Sequence, residues 1–193
     1  MKGLARIYLP YYIVEVQPGK RRFYGEVHVS LRVPRFQALV LATPRDLGFE
    51  KVPLGGYTAE PLASPGEYAR LVEEILEEAS QYEAQSFDVG GWKGLIRALL
   101  TGGVKPKPAG LAARLALTYA REVLGIEESS RLRAYPEKLW LPVDVRVSRR
   151  SVEAYIPRGR GGERFRVLEK LVEKEPEARR ALVELVEASR KPL

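Results

Sequence analysis

Between Arg131 and Arg166 the chain sets ten cations (Arg131, Arg133, Lys138, Arg146, Arg149, Arg150, Arg158, Arg160, Arg164 and Arg166) against four carboxylates, Glu137, Asp144, Glu153 and Glu163. Nine of the ten are arginine, whose planar guanidinium can fork onto a phosphate and stack on a base, where lysine acts as a point charge. Tyr135, Trp140, Tyr155 and Phe165 are interleaved with them. Cations that follow a backbone and aromatics that offer stacking faces are what single-stranded nucleic acid requires of a protein. The glycines of "RGRGG" would let the loop conform to a ligand. The residues expected to make such contacts are Arg146, Arg149, Arg150, Tyr155, Arg158, Arg160 and Arg164. Lys20, Arg21 and Arg22, with Lys105 and Lys107, would assist them. The competing explanation is an arginine-rich surface serving stability, with Trp140 and its neighbours in the core.

A second chemistry is written in the same segment. Asp144 and Glu153 on paired strands could hold a divalent cation for phosphodiester cleavage. Such sites usually carry a lysine two residues after the second acid, and here that position is Tyr155. The pattern is therefore generic, and it fails if the two carboxylates face opposite sides of the sheet. The single histidine, His28, falls on the polar face of an alternating run and reads as a surface residue rather than a ligand. There is no cysteine, so disulfides, thiolate metal sites and a cysteine nucleophile are all absent. "DVGGWKG" lacks the spacing and the hydroxyl of a phosphate loop, and Gly55-Gly56 precedes no helix. No cofactor is expected.

These residues need elements to hold them. "IYLPYYIVEV" (Ile7–Val16) and "LWLPVDVRVS" (Leu139–Ser148) share an aliphatic-aromatic-Leu-Pro pattern 132 residues apart. Each precedes an arginine-bearing turn and a returning strand that contains Tyr24 or Tyr155. Proline in a strand removes a ladder donor and belongs mainly at edges, first positions or bulges. Two Leu-Pro hairpins are therefore expected on opposite edges of one antiparallel sheet, the alternative being two small sheets at either end of a helical middle; in one sheet, whether their arginine turns face the same way is the open question. "RFYGEVHVSLRV" reads as the second strand, with a bulge at Gly25, and "FQALVLA" (Phe36–Ala42) as a third.

The stretch from Thr43 to Ser64 is rich in Pro and Gly, and reads as an ordered belt anchored by Phe49, Leu54, Tyr57 and Leu62 or as a binding loop. Ser64-Pro65-Gly66-Glu67 is a capping box opening a helix whose stripe is Tyr68, Leu71, Val72, Ile75, Leu76, Ala79 and Tyr82. "GWKGLIRALLTGG" predicts a shorter helix. "LAARLALTYAREVLG" predicts the most buried one, capped by Gly125. The C-terminal helix carries a seam of Phe165, Leu168, Leu171 or Val172, Ala178, Leu182, Leu185 and Val186, available to the core or to another chain. Within it Pro176 kinks the helix or begins a new one.

The expected fold is α+β, a single domain over 1–193. An antiparallel sheet is formed by N- and C-terminal β-hairpins (1–42 and 138–157), and the Pro/Gly loop 43–64 leads from the first of them into the helices. The central helical segment 65–128 packs on one face, and the C-terminal helix is 162–190.

The net charge of +7 is divided as +5 over residues 1–48, −5 over 49–100 and +7 over 101–193. Two basic ends flanking an acidic middle suit polyanion binding. Asparagine is missing, methionine occurs only at position 1, and Glu, Arg and Pro are abundant, which fits a thermophile. No run of about 20 apolar residues suits a membrane span, and the N-terminal run lacks a cleavage site, so a cytoplasmic protein is expected. The function expected is a non-catalytic nucleic-acid-binding or ribonucleoprotein-associated protein whose partner is single-stranded DNA or RNA. The alternatives are a protein-interaction subunit, oligomeric or partnered through its C-terminal helix, and a metal-dependent nuclease.

Overall fold

The computed structural model describes residues 3–87, 108–158 and 162–190. Its elements are β1 (Ala5–Gln17), β2 (Arg21–Glu26), β3 (Tyr57–Thr58), α1 (Pro65–Phe87), α2 (Pro108–Tyr119), β4 (Arg131–Val147), β5 (Val152–Ile156), β6 (Glu163–Arg164), α3 (Arg166–Lys174) and α4 (Pro176–Ser189). The fold is α+β, as expected. One sheet runs β2-β1-β4-β5-β6, antiparallel throughout, and the two-residue β3 joins β1 in parallel.

The two Leu-Pro strands occupy the centre of the sheet, not its edges. They pair with each other, antiparallel, about Leu9↔Leu141, with Tyr8↔Pro142 and Pro10↔Trp140 on either side. The motif thus pairs with its own counterpart in a local two-fold arrangement. Alternation of backbone direction explains how a central strand tolerates proline. The Pro10 carbonyl accepts the Val27 N–H, so Pro10 turns its backbone toward the outer edge of β1. There it stands in the gap between β3, opposite Ile7 and Tyr8, and β2, which begins opposite Tyr11. Trp140 exchanges both backbone bonds with Glu50, so Pro142 also faces outward, in the gap before β5 begins opposite Asp144. Neither missing N–H is asked of a ladder.

Helices cover both faces of the sheet. On one, Ile7, Leu9, Tyr11, Leu139, Leu141, Val143 and Val145 pack with Leu168, Leu171, Val172, Ala178, Leu182, Leu185 and Val186 of α3 and α4. On the other, Tyr12, Val14, Val16 and Phe23 meet Tyr68 and Val72 of α1 and Ala120 and Leu124 of the π-turn after α2. The single-face arrangement expected of the helical segment is met by α1, while the C-terminal helices take the opposite face. A two-fold axis normal to the sheet would put both helix pairs on one face, so the internal likeness stops at the hairpins. The whole C-terminal seam is spent on the core of its own chain, and Pro176 begins a new helix.

Several local expectations meet stronger forces. β2 ends at Glu26, short of Val33, because the Glu26 carboxylate captures the backbone N–H groups of His28 (2.9 Å), Val29 (3.0 Å) and Ser30 (2.6 Å). A side chain that offers the backbone these acceptors turns it out of the ladder and into the 3-10 turn Ser30–Arg32. Burial pushes the Glu26 carboxyl up, against the opposing pull of those donors. His28 is buried, and its Nδ1–H donates to the Glu60 carbonyl at 2.6 Å.

Gly25 sits in regular register opposite Tyr12, and the irregularity of the sheet lies between Tyr12 and Val14 instead. Residues 36–42 form turns, with only Thr43 bridging to Tyr24. α2 buries Ala113, Ala116 and Leu117 but leaves Leu111 and Leu115 more than half exposed, so it is not the most buried helix. Its main neighbour is α1, which covers only one stripe.

The capping box forms as read: Ser64 N–H donates to Glu67 at 2.7 Å and Glu67 N–H to Ser64 Oγ at 3.3 Å. Gly125 closes the π-turn at φ 71°. The belt runs from the outer edge of β2 (Thr43) to the outer edge of β4 (Glu50), with Phe49 stacked on Tyr24 and near Tyr11. Leu54, Tyr57 and Leu62 remain exposed. "GWKGLIRALLTGG", Lys105 and Lys107 lie outside the described residues. Among the described residues no helix is long and apolar enough to cross a membrane.

Candidate nucleic-acid interface

The arginine-bearing turn between β4 and β5 is knitted by serines. Ser148 N–H donates to the Ser151 carbonyl (2.9 Å), while Ser148 Oγ accepts the N–H groups of Arg150 (3.3 Å) and Ser151 (2.9 Å). This leaves Arg149 and Arg150 exposed at the tip. From α4, Arg179 Nη2 donates to the carbonyls of Ser148 (3.1 Å) and Arg149 (3.4 Å), fixing the turn against the helical layer. On β6, Arg164 Nε lies 2.9 Å from both carboxylate oxygens of Glu169, which also accepts the Ala154 N–H at 3.0 Å. That pairing raises the Arg164 guanidinium further above its ordinary range.

A recess of about 330 Å³ opens among these elements. Arg150, Ser151 and Val152 line one wall, Arg164, Arg166, Glu169, Lys170 and Glu173 the other, with Arg179 from α4. Five cations face two carboxylates, and setting aside the Arg164–Glu169 pair leaves four cations against Glu173. Ala154 directs its backbone away from β4, toward Phe165 and Glu169, so Val152, two residues earlier, directs its own N–H and C=O outward as well. β6 does not extend that far, and this strand edge borders the recess.

The expected contact residues are only partly brought together. Arg150 and Arg164 line the recess and Arg149 stands at its turn. Tyr155 is half-buried beside Arg164. Arg146 pairs with Glu153 (3.4 Å), and Arg158 with Glu163 (3.2 Å) and the Asp46 carbonyl (2.9 Å). Arg160 lies outside the described residues. Trp140 and Phe165 belong to the core, so they offer no stacking face. Arg166, Lys170 and Arg179 were not among the expected contacts. Arg166 and Lys170 stand one helical turn apart on α3, an i, i+4 spacing legible in the sequence but overshadowed by the apolar seam of the same helix.

The other basic turn is far away. Gln17 pairs with Arg131 at one end of the central ladder and Ala5 with Val145 at the other, roughly 40 Å along the strand. Lys20, Arg21 and Arg22 therefore cannot share a surface with Arg149 and Arg150. Arg21 lies over Gly125, whose missing Cβ leaves room for it. Arg22 stands 3.5 Å from Glu15 and over the Tyr135 ring.

Glu15 accepts from the Tyr135 hydroxyl (2.8 Å) and from Gln17 (3.3 Å), and these bonds, with Arg22, hold its carboxyl below the usual range. A depressed carboxylate contributes stability above its unfolded value near 4.5, and loses it as pH falls through the lower folded value. Tyr135→Phe is expected to move the Glu15 titration upward toward the ordinary value and to narrow that window. An NMR titration of the Glu15 side chain checks this, and an unmoved midpoint contradicts it.

Asp144 and Glu153 face the same side, since Asp144 lies two residues from Arg146, the cross-strand partner of Glu153. Arg6 forks onto Asp144 with two bonds of 2.7 Å, and Arg146 holds Glu153, so each carboxylate already has a cation. Among the described residues no group of three or more His, Asp or Glu is placed to hold a metal ion. Comparison of the chain with protein-family models, with curated proteins and with solved structures finds no match.

Proposed function

We propose that the protein is a non-catalytic nucleic-acid-binding or ribonucleoprotein-associated protein that contacts phosphates through the recess between the β4–β5 turn and α3. The observation that carries this reading is the convergence of Arg150, Arg164, Arg166, Lys170 and Arg179 from four elements on one recess. Helix and turn cations that serve only stability pair with nearby acids, as Arg35 does with Glu74 and Glu78. Arg150, Arg166 and Lys170 instead face an opening. The burial of Trp140 and Phe165 favours phosphate contact over base stacking, so little sequence preference is expected. The same reading places the protein in the cytoplasm of a thermophile, in keeping with its composition.

The test is anisotropy titration of single-stranded DNA and RNA across salt concentrations. Affinity should fall steeply with salt. Arg150→Ala with Arg166→Ala should weaken it and flatten the log–log slope by about 0.7 for each phosphate no longer neutralised. Binding that ignores salt, or none at low ionic strength, would sink the proposal.

A further inference from the structure

We infer that this recess is an end site: it takes the terminal phosphomonoester of a nucleic-acid strand in preference to an internal phosphodiester. The inference rests on the nucleic-acid reading above and specifies which phosphate the site is built for.

An internal phosphodiester carries one negative charge and has chain on both sides. A protein that follows such a backbone presents its cations along a ridge or an open groove, so that chain can enter and leave. Here the cations converge from several elements on one half-open recess instead. Arg150 comes from the turn, Arg166 and Lys170 from α3, Arg164 from β6 and Arg179 from α4. Its volume of about 330 Å³ stands at the small end of ligand pockets, which span roughly 300–1,000 Å³. That is room for the end of a chain. A terminal phosphate brings about −1.5 to −2 charges at pH 7 and three free oxygens, and so can use donors from several directions at once.

Two of the cations are held in place beforehand. Arg179 is fixed by the Ser148 and Arg149 carbonyls, and Arg164 by both oxygens of Glu169. Arg150, Arg166 and Lys170 are exposed side chains that supply the mobile part of the charge. The outward N–H of Val152 adds a fixed backbone donor, the type of group that positions phosphates without reading sequence.

The experiment compares one oligonucleotide carrying hydroxyls at both ends, a 5′-phosphate, or a 3′-phosphate, each titrated by anisotropy at fixed salt with the full chain. One phosphorylated form should bind at least about tenfold more tightly than the hydroxyl-ended strand. The advantage should shrink below about pH 6, where the monoester dianion takes up a proton and becomes a monoanion. Arg166→Gln with Lys170→Gln should abolish the preference. Arg150→Gln, at an exposed turn tip, should reduce it independently, which guards against a folding defect in the first variant. Equal affinity for all three strands overturns the end site and leaves the nucleic-acid reading standing. Failure of every strand to bind at low salt overturns both.

Discussion

Glu26→Ala is expected to lower the stability of the protein by about 4 kcal/mol, the upper range for a single side chain. Glu26 is fully buried, and its two oxygens accept three backbone N–H groups within the space of three residues. Hydrogen bonds to a charged group contribute about 1.5–3 kcal/mol each, and a buried donor left without a partner costs about 1–3 kcal/mol more. The three donors sit on the bend that ends β2 and starts the 3-10 turn, so no other part of the sheet can take them. Glu26→Gln should cost less, about 2 kcal/mol, because the amide keeps one acceptor oxygen and turns its NH₂ toward donors. Urea unfolding with an unchanged slope measures both variants. A loss below about 1 kcal/mol for the alanine variant would mean that water or a shifted backbone replaces the carboxylate.

Gly25→Ala should be nearly as severe, at about 3 kcal/mol, the upper part of the range for overpacking a core. A Cβ at this position would lie 2.2 Å from the Tyr68 hydroxyl, 2.3 Å from Cε1 and 2.5 Å from Cζ. The φ of Gly25 is ordinary, so the cost is contact alone. Tyr68 is 1% exposed and lies among Tyr12, Phe23 and Val72, so its ring has no free direction in which to move. Its hydroxyl has no hydrogen-bond partner among the described residues. Shortening the side chain therefore sacrifices packing but no bond.

The decisive measurement is a double-mutant cycle with Tyr68→Leu. Each single variant should be destabilised, and the pair should be less so than their sum by about 1–2 kcal/mol. Strict additivity would show that the two residues do not meet.

Legibility in the sequence follows the range of the forces involved. The capping box at Ser64, the Gly125 cap, the new helix at Pro176 and the first hairpin turn depend on residues within a few positions of one another, and the letters show them. The central pairing of the Leu-Pro strands is half visible. The likeness of the two segments is plain, but the rule that sends proline to an edge misplaces them. What rescues Pro10 and Pro142 is that β3 and Glu50 stop where each proline begins, and that depends on a belt about 50 residues from Pro10 and about 90 from Pro142 in the chain. β2 reads as too long because Glu26 looks like an exposed strand residue until its carboxylate is seen turned inward. β4 reads as starting late, near Lys138, because Pro136 breaks the pattern of "RLRAYPEK"; its pairing of Arg131–Ala134 with Val14–Gln17 restores it. At the proposed site, arginine content draws attention to the turn that borders the recess. The recess needs cations from α3 and α4, and no one-dimensional pattern ties Arg150 to Lys170 or Arg179.

The pairing of Leu9 with Leu141 also governs how the molecule is made. These residues are 132 positions apart, so the longest ladder in the sheet is a contact of high order, and closing that loop costs about 4 kcal/mol of chain entropy before any contact rewards it. During synthesis β1 emerges well before β4, apolar on both faces and able to pair along one edge only, with β2 and then β3. Its other edge stays open until β4 leaves the ribosome. An unpaired, two-sided apolar strand is an invitation to other chains. The nascent protein thus passes through a period of exposure whose length is set by translation speed, and refolding from denaturant should yield more aggregate the higher the protein concentration.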